Sequence, residues 1–95
     1  MEQRNYFLRQ AAGAWWLVDA SQSGADYRPP LQLNEMGATI VKLCSMGAGR
    51  QEIVRQLCVD YEAGPERITR DVEAFLGALA QHGIEITDGK GTVRI

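Results

Sequence analysis

The chain changes its hydrophobic rhythm twice. Up to Leu33 apolar residues sit in short dense runs, from Met36 to Leu79 they recur every three or four positions, and beyond Gly83 they alternate again. The first regime predicts strands, the second helices. Tyr6-Phe7-Leu8 and Trp15-Trp16-Leu17-Val18 are aromatic and β-branched runs on either side of Ala11-Ala12-Gly13, which suits a hairpin with a short loop. Because the apolar positions are consecutive, both faces of that hairpin carry apolar groups: Tyr6, Leu8, Trp15 and Leu17 on one, Phe7, Trp16 and Val18 on the other. Only one set can cover helices. The pattern leaves open which, and the outward set is expected to meet the terminal hairpin, a second copy or a partner enzyme.

A polar stretch from Ala20 to Tyr27 then leads through Pro29-Pro30 into Leu31-Gln32-Leu33, a third short strand. A proline has no N–H to give to a ladder, so this strand suits a sheet edge; the pair serves equally well as a loop stiffener. At Asn34 the period becomes 3.6. Asn34 is a good N-cap and Glu35 complements the helix dipole. Met36, Ile40, Leu43 and Cys44 form a first stripe; Ile53, Val54, Leu57, Cys58 and Tyr61 form a second beyond Gly47-Ala48-Gly49; Ile68, Val72, Phe75, Leu76 and Leu79 form a third beyond Gly64-Pro65. Gly83 suits a C′ position. Ile84-Glu85-Ile86-Thr87 and Thr92-Val93-Arg94-Ile95 alternate around Asp88-Gly89-Lys90-Gly91 and read as a hairpin. The expectation is one α+β domain over 1–95: three N-terminal antiparallel strands (about 5–33), a three-helix bundle (about 34–83) and a short C-terminal hairpin (about 84–95). Ile40, Leu57, Val72, Phe75 and Leu79 are expected to be buried together.

Composition narrows the picture. A hydrophobic share of 45% and a charged share of 23% are ordinary globular values, and the net charge is −2. A duplex-binding protein commonly carries a basic surplus. No run of about 18 apolar residues is present, so no membrane span is expected. The N-terminal MEQRNYFLRQ lacks the apolar core of a signal peptide, giving a cytoplasmic expectation. Cys44 and Cys58 have neither C-x-x-C nor histidine spacing and read as reduced helix-face thiols. His82, the single histidine, falls at the end of the third helix, where the dipole favours a cation. Ser21, Ser23 and Ser45 have no neighbouring base in sequence, Asp71 and Glu73 point to different sides of a helix, and no phosphate loop, zinc or calcium motif occurs. These residues suggest neither an enzyme nor a cofactor or metal site.

Four segments in order carry a resemblance. Leu33-Asn34-Glu35-Met36-Gly37-Ala38-Thr39-Ile40 resembles the LNExGAxI signature that opens the first helix of the PqqD-like family, the RiPP recognition elements. Gly49 to Leu57 resembles that family's second helix, with a tyrosine following at Tyr61. Asp71-Val72-Glu73-Ala74-Phe75-Leu76, with Leu79 and Gly83, resembles its D-V-x-x-F-L-x-x-L closing helix. The segments Tyr6–Arg9 and Trp15–Asp19 resemble its N-terminal hairpin. The chain departs from the pattern at Gly47-Ala48-Gly49, where serine or threonine is common, and in its terminal hairpin, longer than the family core.

The resemblance implies a winged-helix-like fold that binds the leader of a ribosomally made precursor peptide while a modifying enzyme, such as a radical SAM or other maturase, acts on it. It implies that the leader adds a strand to the third strand and packs against the third helix. The expected peptide-binding residues are Pro30, Leu31, Gln32, Leu33, Arg67, Arg70, Asp71, Ala74, Phe75 and Ala78, with the flank bearing Thr69, Glu73 and Ala80 as the alternative wall. Two other classes compete. A structural bridging subunit blends into this reading. A DNA-binding winged helix would use the third helix for recognition, but from Pro65 to His82 it carries Arg67 and Arg70 against Glu66, Asp71 and Glu73, a poor charge for a major groove.

Overall fold

A computed structural model describes residues 4–20, 29–86 and 91–94. In chain order the elements are β1 (Arg4–Ala11), β2 (Ala14–Asp19), β3 (Leu31–Leu33), α1 (Glu35–Ser45), α2 (Arg50–Tyr61), α3 (Pro65–Gln81) and β4 (Gly91–Arg94). The strands form one sheet in the order β3-β2-β1-β4. The predicted hairpin is β1–β2, antiparallel, closed by the two-residue turn Ala12-Gly13 between the paired Ala11 and Ala14. Both turn residues have positive φ, 54° and 76°, the geometry whose twist matches that of the strands it joins.

The inner face of the sheet is the one bearing Tyr6, Leu8 and Leu17, all buried. Phe7, Trp16 and Val18 therefore face outward, half-buried, which resolves the choice the alternation left open. α1 lies across the inner face, against all four strands, and α2 packs on α3. The core is divided in two. Tyr6, Leu8, Leu17, Leu33, Val41, Leu79, Ile84, Ile86 and Val93 gather between sheet and helices, while Ile40, Ile53, Leu57, Ile68 and Val72 gather among the helices. Cys44, Phe75 and Leu76 touch both groups. The single cluster expected of Ile40, Leu57, Val72, Phe75 and Leu79 is thus split: Leu79 belongs to the sheet side, and Phe75 is a half-buried bridge.

The terminal hairpin is a correction. Residues 84–86 carry no strand pairing, and β4 runs parallel to β1, with Val93 opposite Tyr6. The period-2 pattern has a different cause: Ile84 and Ile86 insert beneath the sheet, at 7% and 4% exposure. Val93 joins the same core. Alternation reports which side chains are buried, and an extended segment can satisfy it without a ladder partner. The expected turn at 88–90 lies outside the described residues.

Candidate functional site

β3 is short, and its placement sets the site. Leu31, Gln32 and Leu33 pair with Leu17, Trp16 and Trp15 of β2. Leu31 and Leu33 turn inward, Gln32 outward, as alternation requires. β3 ends the sheet, so its far side meets no strand among the described residues. The edge expected from Pro29 and Pro30 is present.

The chain then turns directly into α1. The Asn34 side chain accepts a hydrogen bond from the Gly37 N–H at 2.7 Å, the cap predicted from sequence. Gly37 has a second role. A Cβ there would come within 2.7 Å of Cε1 of Phe75, so the missing side chain lets the Phe75 ring of α3 approach the start of α1, where β3 ends.

α3 buries Ile68, Val72 and Leu79. At 100° per residue, its two flanks face different neighbours. Glu73 receives the Arg50 guanidinium of α2 at 3.1 Å, so the flank of Thr69, Glu73 and Ala80 is turned toward α2. The opposite flank carries Asp71, Ala74, Ala78 and His82. Its C-terminal end is tied off by three backbone bonds: His82 N–H and Ile84 N–H donate to Leu79 O, and Gly83 N–H to Ala80 O, each at 2.9 Å. Gly83 sits at φ 75°, where a Cβ would be strained. This Schellman turn sends Ile84 back into the core.

Between these elements lies a cleft of about 430 Å³, lined by Leu17, Asp19, Pro29, Pro30, Leu31, Gln81, His82, Gly83 and Ile84. The start of β3 therefore faces residues 81–84, while its end, through Asn34 and Gly37, meets Phe75. Leu31 thus shares the cleft with the end of α3, and Phe75 reaches the start of α1 that follows β3. The walls are mostly apolar; Asp19, 6% exposed, is the one buried charged residue among those described.

The sequence-predicted residues divide accordingly. Pro30 and Leu31 line the cleft, and Leu33 and Phe75 belong to the sheet-side core beside it. Ala78 is exposed on the cleft flank, one turn before His82, and Ala74 lies one turn earlier. Gln32 points to the other face of the sheet, opposite Trp16. Arg67, Arg70 and Asp71 belong to the first half of α3. Arg67, 14 positions before Gln81, stands ~21 Å along the helix from it, and its guanidinium pairs with Asp71 at 4.0 Å. The cleft as seen does not reach them. Sequence reasoning missed Leu17, Asp19, Gln81, His82 and Ile84. The available signal was Gly83 followed by an apolar residue, which marks a helix end folded back onto the core.

The described residues include no helix long and apolar enough to cross a membrane and no group of three or more His, Cys, Asp or Glu that could hold a metal. The sequence profile of the family described as coenzyme PQQ synthesis protein D (PqqD) matches residues 28–84. Among solved structures the chain is similar to the one titled "TbiB1 in Complex with the TbiA(beta) Leader Peptide", with a TM-score of 0.66 and 23% identity over 86% of this chain and 87% of that chain. No protein with a curated description matches.

Proposed function

The chain belongs to the PqqD family, and from that premise we propose that it is a non-catalytic binding module for the leader segment of a ribosomally made precursor peptide, which it presents to a modifying enzyme. The observation that carries this reading is the open edge of β3 beside an apolar cleft shared with the end of α3. An added strand would take main-chain hydrogen bonds from Leu31 to Leu33 and place alternate side chains into the cleft. The solved structure with the same fold is titled as a complex with a leader peptide, which supports the same mode here.

The peptide-binding residues proposed are Pro30, Leu31, Gln32 and Leu33 through their backbone, and Phe75, Ala78 and Ala74 through the wall of α3. Arg67, Arg70 and Asp71 would be reached only by a longer leader, extending ~6 residues past the cleft at about 3.3 Å each. No observation favours the DNA-binding reading: α3 keeps its acidic balance, and two of its charges, Arg67 and Asp71, face each other. Titrating a fluorescent leader peptide into the chain tests the proposal. Saturable one-to-one binding is expected, and a flat titration at high micromolar chain would refute it.

A further inference from the structure

The leader reading occupies the β3 edge and the inner side of the sheet. It leaves the outer face unexplained. There Phe7 and Val18 are direct cross-strand partners, Trp16 is paired with Arg9 on β1 and with Gln32 on β3, and Arg94 stands beside Phe7. The three apolar side chains remain half-exposed, and α1 packs on the inner side, beneath Leu8 and Leu17.

Two features make this face more than leftover apolar surface. The Trp16 indole N–H donates to Ala11 O at 3.1 Å, and the Arg9 guanidinium lies 4.7 Å from the Phe7 ring centre. Both large side chains are thus held in place before any partner arrives, which lowers the ordering cost of an interface. Tryptophan, phenylalanine and arginine are also the types enriched at interface centres. The charge is one-sided. Arg9 and Arg94 are exposed, and the outward positions of the described strands include no acidic residue, whereas the segment from Glu35 to Glu85 holds eight acidic and five basic residues.

We propose that this outer face, centred on Phe7, Trp16 and Val18 with Arg9 and Arg94 beside them, docks the chain onto the modifying enzyme, at an apolar patch on that enzyme rimmed by carboxylates. The proposal rests on the leader-binding reading for the identity of the partner. Charge selects against a second copy, since two such faces in contact would set arginines against arginines. Geometry allows both ligands at once: a strand added beside β3 extends the sheet, and the enzyme on the outer face lies one strand away through Gln32 and Trp16. The leader is then held at the rim of the docked enzyme, with the cleft still open to it.

The test uses the full chain and the purified enzyme that modifies the precursor peptide it binds. Arg9→Glu and Val18→Lys are made separately, with Arg55→Glu on exposed α2 as a charge control, and each is checked for an unchanged thermal midpoint. Chain–enzyme affinity is measured by calorimetry without peptide, and leader affinity by fluorescence anisotropy. Both outer-face variants are expected to weaken the enzyme complex at least tenfold, more steeply at low salt for Arg9→Glu, with leader affinity within twofold of the parent. Should one variant fail to fold, the other decides. Unchanged enzyme affinity in a folded variant would overturn the proposal, as would a concentrated chain that sediments as a dimer dispersed by the same substitutions. A parent chain that binds the enzyme through Arg9 but shows no leader binding would sink the leader reading alone.

Discussion

Ala78→Arg separates the groove from the fold. Ala78 is exposed, three residues after Phe75 and one turn before His82, so it lies on the α3 flank that leads to the cleft at His82. Nothing in the core depends on it. Alanine and arginine are both strong helix formers, and an exposed substitution away from caps and pairs moves stability by about 0.5 kcal/mol at most. For binding the consequence differs. Three or four main-chain hydrogen bonds contribute about 0.5–1.5 kcal/mol each, so useful affinity needs at least one leader side chain buried in the cleft. An arginine projecting there denies that burial, worth about 1.5–3 kcal/mol for a Leu- or Phe-sized group, or roughly 10- to 150-fold in Kd. Fluorescence anisotropy with a labelled leader, beside a thermal melt, reads both quantities. Ala80→Arg, on the flank turned toward α2, serves as the comparison and should change Kd less than about twofold. Equal affinities for Ala78→Arg and the parent would show that the leader does not lie along this flank. A loss with Ala80→Arg instead would move the groove to the side of Thr69 and Glu73.

Phe75→Ala removes the ring that links the two core clusters, and its partial exposure places the loss at the low end of about 3–5 kcal/mol in a denaturant melt; a change below about 1 kcal/mol would mean the ring is not the bridge it looks. Ala12→Asn relieves an alanine at φ 54° and should stabilise the hairpin by roughly 0.5–1 kcal/mol, seen as a higher urea midpoint with unchanged slope. Glu73→Ala breaks an ion pair whose side chains are about half exposed, so it should cost no more than about 1 kcal/mol and leave leader affinity unchanged. On adding leader, those amides of Leu31 to Leu33 that point away from β2 should gain protection in hydrogen exchange while the amides of β4 do not.

Much of this was legible in the chain, because local physics and tertiary fold agree along it. Asn34 capped the helix it was predicted to cap, and Gly47 and Gly83 adopt the positive φ expected of glycines past a helix end. The β1–β2 hairpin and the β3 edge followed from apolar runs, a small-residue turn and two prolines. The failures have one source: alternation and stripes report burial, not the identity of the neighbour. Ile84 and Ile86 show it at the terminus, where a buried period-2 pattern packs under the sheet without pairing. Leu79 shows it in the core, where one helical stripe serves two clusters. The cleft was half-visible for the same reason. Its β3 wall is local and was predicted, but Leu17, Asp19 and residues 81–84 meet it only in the tertiary fold, which no local window contains.

Among the described residues the sheet also ends at β4, and the reason to favour β3 is what stands beside each. A bare ladder gives only a few weak hydrogen bonds in water, so both edges are kept short, three residues at β3 and four at β4, and neither alone would hold a peptide well. β4 carries an exposed arginine, Arg94, on the outer face and packs over α1. β3 begins at two prolines, turns its leucines inward and opens onto the cleft closed by the end of α3. There an added strand's alternate side chains would exchange water for the apolar walls of the cleft. On the leader-binding proposal, selectivity for one edge would come from the helix, with the exposed Ala74 and Ala78 leaving room for the added strand's side chains.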